Sequence, residues 1–499
     1  MAIEASAVAR VLGIDVHYSD LRGGAVQFLP QHIAIVAQGA SASAPYPMTP
    51  YRITSAAQAA ARYGFGSPIH LAALQLFPIT GGGVGSIPVT VYPLEDDYPA
   101  GLPAVGSITP SGAATVTATY RARIAGIWSA PFTAVAGDNV ATICDKLVAA
   151  INAVLEMPVI AADGATDVDL TAKWDGASAN GMAVEVLLDN GEPTDDVTFT
   201  VSAMASGAAD PDLSSALDQL GNTWITLVIN GLGPSNTTAL GDLSSVGEGR
   251  WGQLVRKPFV AFTGNNEEVV GTATTVTNAR TTDRVNCQVV APGSPNLPVQ
   301  IAAAHVREIA KVANDNPPTD YGSRVLRFLT PGADGSQWDY AERDQAVKAG
   351  SSTIEVRSGL PYISDVVTMY HPVGEVPPAY RHVVDIIKIA NIIYNVELEF
   401  AQASWDGAPL IPDDQPTVNP NARKPSTAKA AINRIIDSLA LNAVISNPAA
   451  AKESTVATID AQNPKRLNVS TTVQLSGNTN VISIDLNFGF FFGSSQLAA

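Results

Sequence analysis

Two segments near the C-terminus alternate apolar and polar residues with period two. In Arg466–Leu475, Leu467, Val469, Thr471, Val473 and Leu475 share one face, and Asn468, Ser470, Thr472 and Gln474 the other. In Val481–Phe492, Ile482, Ile484, Leu486, Phe488, Phe490 and Phe492 stand against Ser483, Asp485, Asn487 and Gly489. This pattern predicts two strands, each with one buried and one wet face, joined as a hairpin by the polar turn Ser476–Thr479. Chain ends fray unless something ties them down, and burying one large apolar side chain is worth ~1.5–3 kcal/mol. Six such residues on a terminal strand therefore require a partner surface, in this molecule or in the next.

Upstream, the patterns change along the chain. His32–Gln38 is an apolar run that predicts a buried strand. An alanine-rich helix follows around Ser55–Tyr63, with Thr54 and Ser55 as capping residues, then a helix around Pro68–Phe77, the Gly81-Gly82-Gly83 turn and a strand at Pro88–Tyr92. Residues 104–207 are rich in Ala, Thr, Val and Gly. Short alternating runs there (Ala114–Ile124, Val197–Met204) and one helix near Val140–Leu155 predict a β-rich insertion. Between Leu213 and Leu329, strands at Trp224–Ile229, Phe259–Phe262, Cys287–Val290 and Val325–Leu329 alternate with helical stretches such as Gln300–Ala313. That alternation predicts an α/β layer with a mostly parallel sheet. The last third holds a helix at about Tyr380–Phe400, a loop at Pro409–Pro420, and a helix at about Ser426–Ile445 capped by Ser426 and Thr427.

A chain of 499 residues exceeds what one core normally serves, so two to four domains are expected. With 46% hydrophobic and 15% charged residues, composition predicts folded, loop-rich structure. The net charge of −17 repels phosphate backbones and anionic lipid, which argues against nucleic-acid binding. Met1–Gly13 has no basic lead or long apolar run, so no signal peptide is expected. The most apolar stretch, Val383–Val396, is interrupted by Asp385, Lys388, Asn391 and Asn395 and reads as a core helix rather than a membrane span. Cys144 and Cys287 lie far apart and read as buried reduced thiols, with a disulfide between subunits as the alternative.

Motifs for chemistry are missing. There is no phosphate loop, because no Gly-Lys pair occurs, and Gly81–Gly85 precedes a strand instead of opening a helix. The six histidines (His17, His32, His70, His305, His371, His382) lack metal-ligand spacing, so neither a metal nor a cofactor is expected. No G-x-S-x-G elbow is present, and His305 sits inside the helical run IAAAHVREIA, as a packed or solvated residue. Asp96-Asp97, Asp195-Asp196, Glu267-Glu268 and Asp413-Asp414 fall in polar turns and read as solvated loop charge. One charge feature stands out: Arg423, Lys424, Lys429 and Arg434 occur with no acid until Asp437. They read either as solvated charges on a helix start, against the macrodipole, or as a basic patch for an acidic partner.

Taken in order, the motifs resemble those of bacteriophage contractile tail sheath proteins of the Mu-like group. Tyr51-Arg52-Ile53-Thr54-Ser55, Tyr63–Pro68, Gly81-Gly82-Gly83 and Val89-Thr90-Val91-Tyr92 are similar to the sheath N-terminal pattern. Tyr120–Ile124, Ala136-Gly137-Asp138, Ala150-Ile151-Asn152-Ala153 and Leu170-Thr171-Ala172-Lys173 are similar to that group's inserted domain. Trp224–Gly231 and Phe259–Gly264 resemble strands of its subtilisin-like domain, and Asn463–Val469 the approach to its C-terminal strands.

The resemblance implies an α/β (α+β multidomain) fold: a subtilisin-like sheath core without catalysis, a β-rich inserted domain, and extended N- and C-terminal arms. The implied division is 1–20 arm, 21–95 first part of the core, 104–207 insertion, 208–330 α/β domain, 331–475 inner domain and 480–499 arm. It further implies a structural, non-enzymatic subunit stacked as hexameric rings around a tail tube. Its partners would be other copies of itself, the tube protein, and baseplate and tail terminator proteins, without membrane insertion, in a virion tail assembled in the host cytoplasm. Ile482, Ile484, Leu486, Phe488, Phe490 and Phe492 would then lie on an arm adding a strand to a neighbour. Leu467–Leu475 would belong to its own core, with Ser476–Thr479 a linker between them. Arg423, Lys424, Lys429 and Arg434 would face the tube. Two other classes stay open: a different self-assembling surface protein and a serine hydrolase on the α/β domain.

Overall fold

The computed structural model describes residues 27–375, 378–479 and 483–484. Its centre is an eight-stranded sheet in the order Leu360–Asp365, Ser351–Arg357, Asn286–Val290, Val260–Asn265, Leu227–Asn230, Ile33–Gln38, Val89–Leu94, Tyr51–Ile53. The six inner strands run parallel and the two edges antiparallel. Ile33–Gln38 is buried at every position, which is why it reads as one apolar run. Ile33, Ile35 and Ala37 join a core with the helices Pro68–Leu76 and Pro298–Asp315, while Ala34 and Val36 join Leu213, Leu217 and Leu243 on the opposite face.

Between Val89–Leu94 and Leu227–Asn230 the chain leaves this sheet and builds two antiparallel four-stranded sheets. One contains Phe199–Ala205, Pro103–Pro110, Val168–Asp175 and Val159–Asp163. The other groups Val184–Leu188, Ile127–Trp128 and Phe132–Ala134 around Ala118–Ile124. The helix Val140–Asn152 buries Ile143, Leu147 and Ile151 in the same core, and its Asn139 cap accepts a hydrogen bond from the Thr142 amide at 2.9 Å.

A third body closes the chain. The helices Val383–Phe400 and Pro425–Leu441, the short helix Pro448–Ser454 and two two-stranded ribbons enclose a cluster of Ile432, Ile436, Leu439, Val444, Ile445 and Ala451.

Several expectations are corrected. The run Arg466–Leu475 is not one strand: Leu467–Ser470 pairs with Val456–Ile459 and Gln474–Leu475 with Ile445–Ser446, while the expected second strand, Val481–Phe492, lies outside the described residues except for Ser483 and Ile484. The break comes from competing hydroxyls, since Ser454 Oγ accepts the Thr472 amide at 2.9 Å and Thr455 bonds Thr471 at 3.0 Å. Ser476–Thr479 is not a turn; Ser476 and Asn478 are fastened to Lys388 of the Val383–Phe400 helix. Val325–Leu329 is a loop with one bridge, Val325 to Tyr362, so its buried Leu326 and Leu329 report burial without a strand. Ser426 and Thr427 do not cap the Pro425–Leu441 helix. Asp413 does so from the preceding loop, accepting the Ser426 amide at 3.0 Å and hydroxyl at 2.6 Å.

Candidate functional site

Ligands of open parallel sheets bind beyond the carboxyl ends of the strands, where the strand order reverses. Here the reversal lies between Ile33–Gln38 and Leu227–Asn230. At the end of the first strand, Gln38 Nε2 donates to the Asp175 carbonyl at 2.7 Å and to Asp96 Oδ1 at 2.6 Å. At the end of the second, Asn230 Oδ1 accepts the Leu232 amide and its Nδ2 donates to Thr263 Oγ1, both at 3.0 Å. A β-carbon on Gly231 would lie 2.4 Å from that of Ala37, so the loop lies flat on its neighbour. Asp210 then bridges the insertion and the sheet: Oδ1 accepts the Ala177 amide at 2.6 Å and Oδ2 accepts Asn236 Nδ2 at 3.0 Å. At this switch point Asp175 of the insertion is bonded directly to the end of the first strand, and Ala177 is tied through Asp210 to the loop after the second.

His305 lies in the helix Pro298–Asp315, fully buried, with Nδ1–H donating to the Ile301 carbonyl at 2.8 Å. Burial lowers its pKa to about 4, and its Nε2 has no partner among the described residues, so it does not activate a nucleophile there. Among the described residues no group of three or more His, Cys, Asp or Glu side chains is placed to hold a metal ion. Cys144 and Cys287 are both free and buried. No helix among the described residues is long and apolar enough to cross a membrane.

The paired turn acids are structural acceptors rather than solvated charge alone. Asp96 holds Gln38 and Ser41; Asp196 accepts the Thr115 and Val116 amides at 2.9 and 3.0 Å; Glu268 accepts Ser336 Oγ at 2.9 Å. Asp196 satisfies two loop backbone donors, whereas Asp96 and Glu268 hold side-chain donors.

The four basic residues of the helix start separate into distinct roles. Lys424 Nζ donates to the carbonyls of Asp413 and Gln415 at 3.0 and 2.8 Å, folding the loop onto the helix. Arg423 bonds the carbonyl of Pro420 at 3.2 Å and lies over the Trp405 ring, 5.7 Å from its centroid. Exposed Arg434 pairs with Glu399 at 3.1 Å. Lys429 has no ion pair among the described residues.

Of the apolar arm residues, Ile484 is described and is 78% exposed. Ile482, Leu486, Phe488, Phe490 and Phe492 lie outside the described residues, as does the expected N-terminal arm, 1–20. Among the described residues Leu467–Ser470 pairs with Val456–Ile459 alone, and beside it lies a groove of about 830 Å³ lined by Phe400, Trp405, Leu410, Leu467 and Val469.

No family model matches the chain. The Mu-like prophage FluMu tail sheath protein of Haemophilus influenzae is 27% identical over 359 residues, spanning 70% of this chain and 71% of that protein. The resemblance to the Mu-like tail sheath proteins holds. Solved sheath structures overlap over most of the chain at low identity. The sheath tail protein of Desulfitobacterium hafniense is 12% identical, covering 93% of this chain and 100% of that one, with a TM-score of 0.46. That of Listeria innocua is 10% identical over 91% and 94%, with a TM-score of 0.49. The contracted helical sheath of the anti-feeding prophage is 10% identical over 97% and 100%, also with a TM-score of 0.49.

The sequence reading passed over one set of residues in this sheath relative. Lys388, Asn391 and Asn395 had served only to break an apolar run, yet all three are buried, and their spacing of three and four places them on one helix face. Buried polar residues in such a stripe were the available signal.

Proposed function

We propose that this chain is the structural subunit of a contractile phage tail sheath. Copies polymerise as stacked hexameric rings around a tail tube, and contraction drives the tube through the host envelope. The observation that carries this reading is the 27% identity to a Mu-like tail sheath protein over 70% of the chain. The central α/β sheet is subtilisin-like in architecture and non-catalytic, a reading supported by the insertion residues bonded across its strand ends and by the buried, helix-bound His305. Energy for contraction is stored in packing between subunits.

In this reading 1–20 and 480–499 are arms, 21–95 and 208–330 form the core, 104–207 is the outer insertion and 331–475 faces the tube. The arm bearing Ile482, Ile484, Leu486, Phe488, Phe490 and Phe492 adds a strand to a neighbouring copy. The edge of Leu467–Ser470 left unpaired among the described residues, with its apolar groove, supports that acceptor role, because strand addition combines backbone bonds with side-chain pockets. Lys429 and Arg434, with Arg423 and Lys424 behind them, meet the tube protein; baseplate and terminator proteins cap the polymer. The chain is a virion component assembled in the host cytoplasm.

Removing Val481–Ala499 is expected to leave a folded monomer that no longer polymerises; ordered tubes from that truncation would overturn the arm reading. Reversing Lys429 and Arg434 tests the tube-facing surface, since neither holds the loop fold as Lys424 does. Wild-type assembly on tubes would remove that claim.

A further inference from the structure

The Val383–Phe400 helix joins two bodies. Val383, Val384, Ile386 and Ile387 belong to the main core, whereas Ile392, Val396 and Phe400 pack on the C-terminal cluster. Where these halves meet, the stripe Lys388, Asn391, Asn395 makes bonds that neither core requires. The Lys388 ammonium is fully buried and its three donors meet three acceptors: Asp385 Oδ1 at 3.0 Å, the Ser476 carbonyl at 2.6 Å and Asn478 Oδ1 at 2.7 Å. Two of those acceptors lie in the last continuous stretch of described chain before the C-terminal segment. Asn478 Nδ2 also donates to the Pro318 carbonyl at 2.8 Å, so the segment is held from both sides.

One and two turns further along, the same face holds the stretch just before the strand Ile33–Gln38. Asn391 Oδ1 accepts the Leu29 amide at 2.8 Å. Asn395 accepts the Gln27 amide at 3.2 Å and returns a bond to the Gln27 carbonyl at 3.0 Å, as a neighbouring strand would. Both asparagines fix their own rotamers by donating to helix carbonyls four residues back, Ile387 and Asn391, at 2.9 and 2.8 Å. A buried ammonium is costly to desolvate unless fully bonded, and apolar residues would pack the helix as well or better. The polar stripe is therefore matched to the two backbone segments it grips.

We infer that Lys388, Asn391 and Asn395 form one anchor for the stretches 27–29 and 476–478, which lead into the two proposed arms, so that load entering through one arm leaves through the other along this helix without crossing the central sheet. The load-path half rests on the sheath reading, while the anchor is a property of the single chain.

Hydrogen–deuterium exchange on the full-length monomer tests the anchor independently of assembly. In Lys388→Met, amides of 474–479 should exchange roughly tenfold faster or more, as expected for loss of charge-assisted bonds, with 27–31 and Val260–Asn265 unchanged. Asn391→Ala with Asn395→Ala should do the converse, loosening 27–31 alone. Asn478→Ala, on the gripped segment rather than the helix, should loosen 474–479 even where Lys388→Met misfolds. Unchanged exchange at 474–479 in both Lys388→Met and Asn478→Ala would overturn the anchor. If the anchor holds, tubes of Asn478→Ala should shear into shorter fragments than wild type in electron micrographs, and equal fragment lengths would overturn the load path alone.

Discussion

Asp210 Oδ2 accepts a hydrogen bond of 3.0 Å from the side chain of Asn236, tying the β-rich insertion to the loop that follows a central parallel strand. Its other oxygen takes the Ala177 amide at 2.6 Å, beside Gly176, where a β-carbon would sit 2.5 Å from that same oxygen. One carboxylate thus links the insertion to the loop at the strand ends. Asp210→Ala should cost about 1–3 kcal/mol, because two donors lose a charged acceptor. It should also speed amide exchange at 176–178 while leaving the central strands protected.

Two glycines predict opposite signs. A β-carbon on Gly264 would lie 2.0 Å from the Pro298 carbonyl oxygen, so the helix Pro298–Asp315 rests directly on this strand. Gly264→Ala should destabilise by about 1–3 kcal/mol or more, since backbone must move. Gly249 lies within the helix Thr237–Trp251 with open space around it, so Gly249→Ala should stabilise by about 1 kcal/mol. Urea denaturation of the two variants checks both signs.

His305 gives a pH dependence. Its pKa is about 4 in the folded chain, against 6.5 ordinarily, because burial disfavours the charged ring. Between those values the unfolded chain takes up a proton that the folded chain refuses. The stabilising contribution is complete above pH 6.5 and is lost as pH falls toward 4. His305→Leu should therefore lose about 2–3 kcal/mol less than wild type between pH 7 and pH 4.5 in denaturant melts. His70, buried and also lowered to about 4, should show the same trend.

Both thiols should be silent in the native protein. Cys287 is fully buried, its pKa is pushed up to about 12 by desolvation, and its sulfur lies 3.3 Å from Ser352 Oγ. Cys144 is buried with its pKa raised for the same reason. A thiol reagent should label neither until denaturant is added, and gels with and without reductant should match; rapid native labelling would revive the disulfide between subunits.

Much of the central sheet was legible in the sequence because parallel strands buried on both faces carry their apolar residues in runs, as in Ile33–Gln38, whereas Tyr51–Ile53, Ser351–Arg357 and Leu360–Asp365, shorter or mixed with polar residues, did not stand out as strands. The helix start at Ser55 was short-range too, a side chain bonding three residues on, and the Asn139 cap, equally local, was passed over. What was hidden depends on long-range bonds. The alternation of Leu467–Leu475 was visible, but not that Ser454 would take the Thr472 amide and break the strand. Asp413 capping a helix from a loop, and Lys388 reaching Ser476, join residues whose nearness only the fold creates. At the candidate site, the lack of a G-x-S-x-G elbow was readable, whereas the link that Asp210 makes between Ala177 and Asn236 was not.

The central claim is that this chain assembles with itself through its termini. Electron microscopy of the purified full-length chain beside the chain lacking Val481–Ala499, at equal concentration, tests it most directly. The account predicts six-fold tubes from the first and dispersed, folded monomers from the second; monomers from both, or tubes from both, would contradict it.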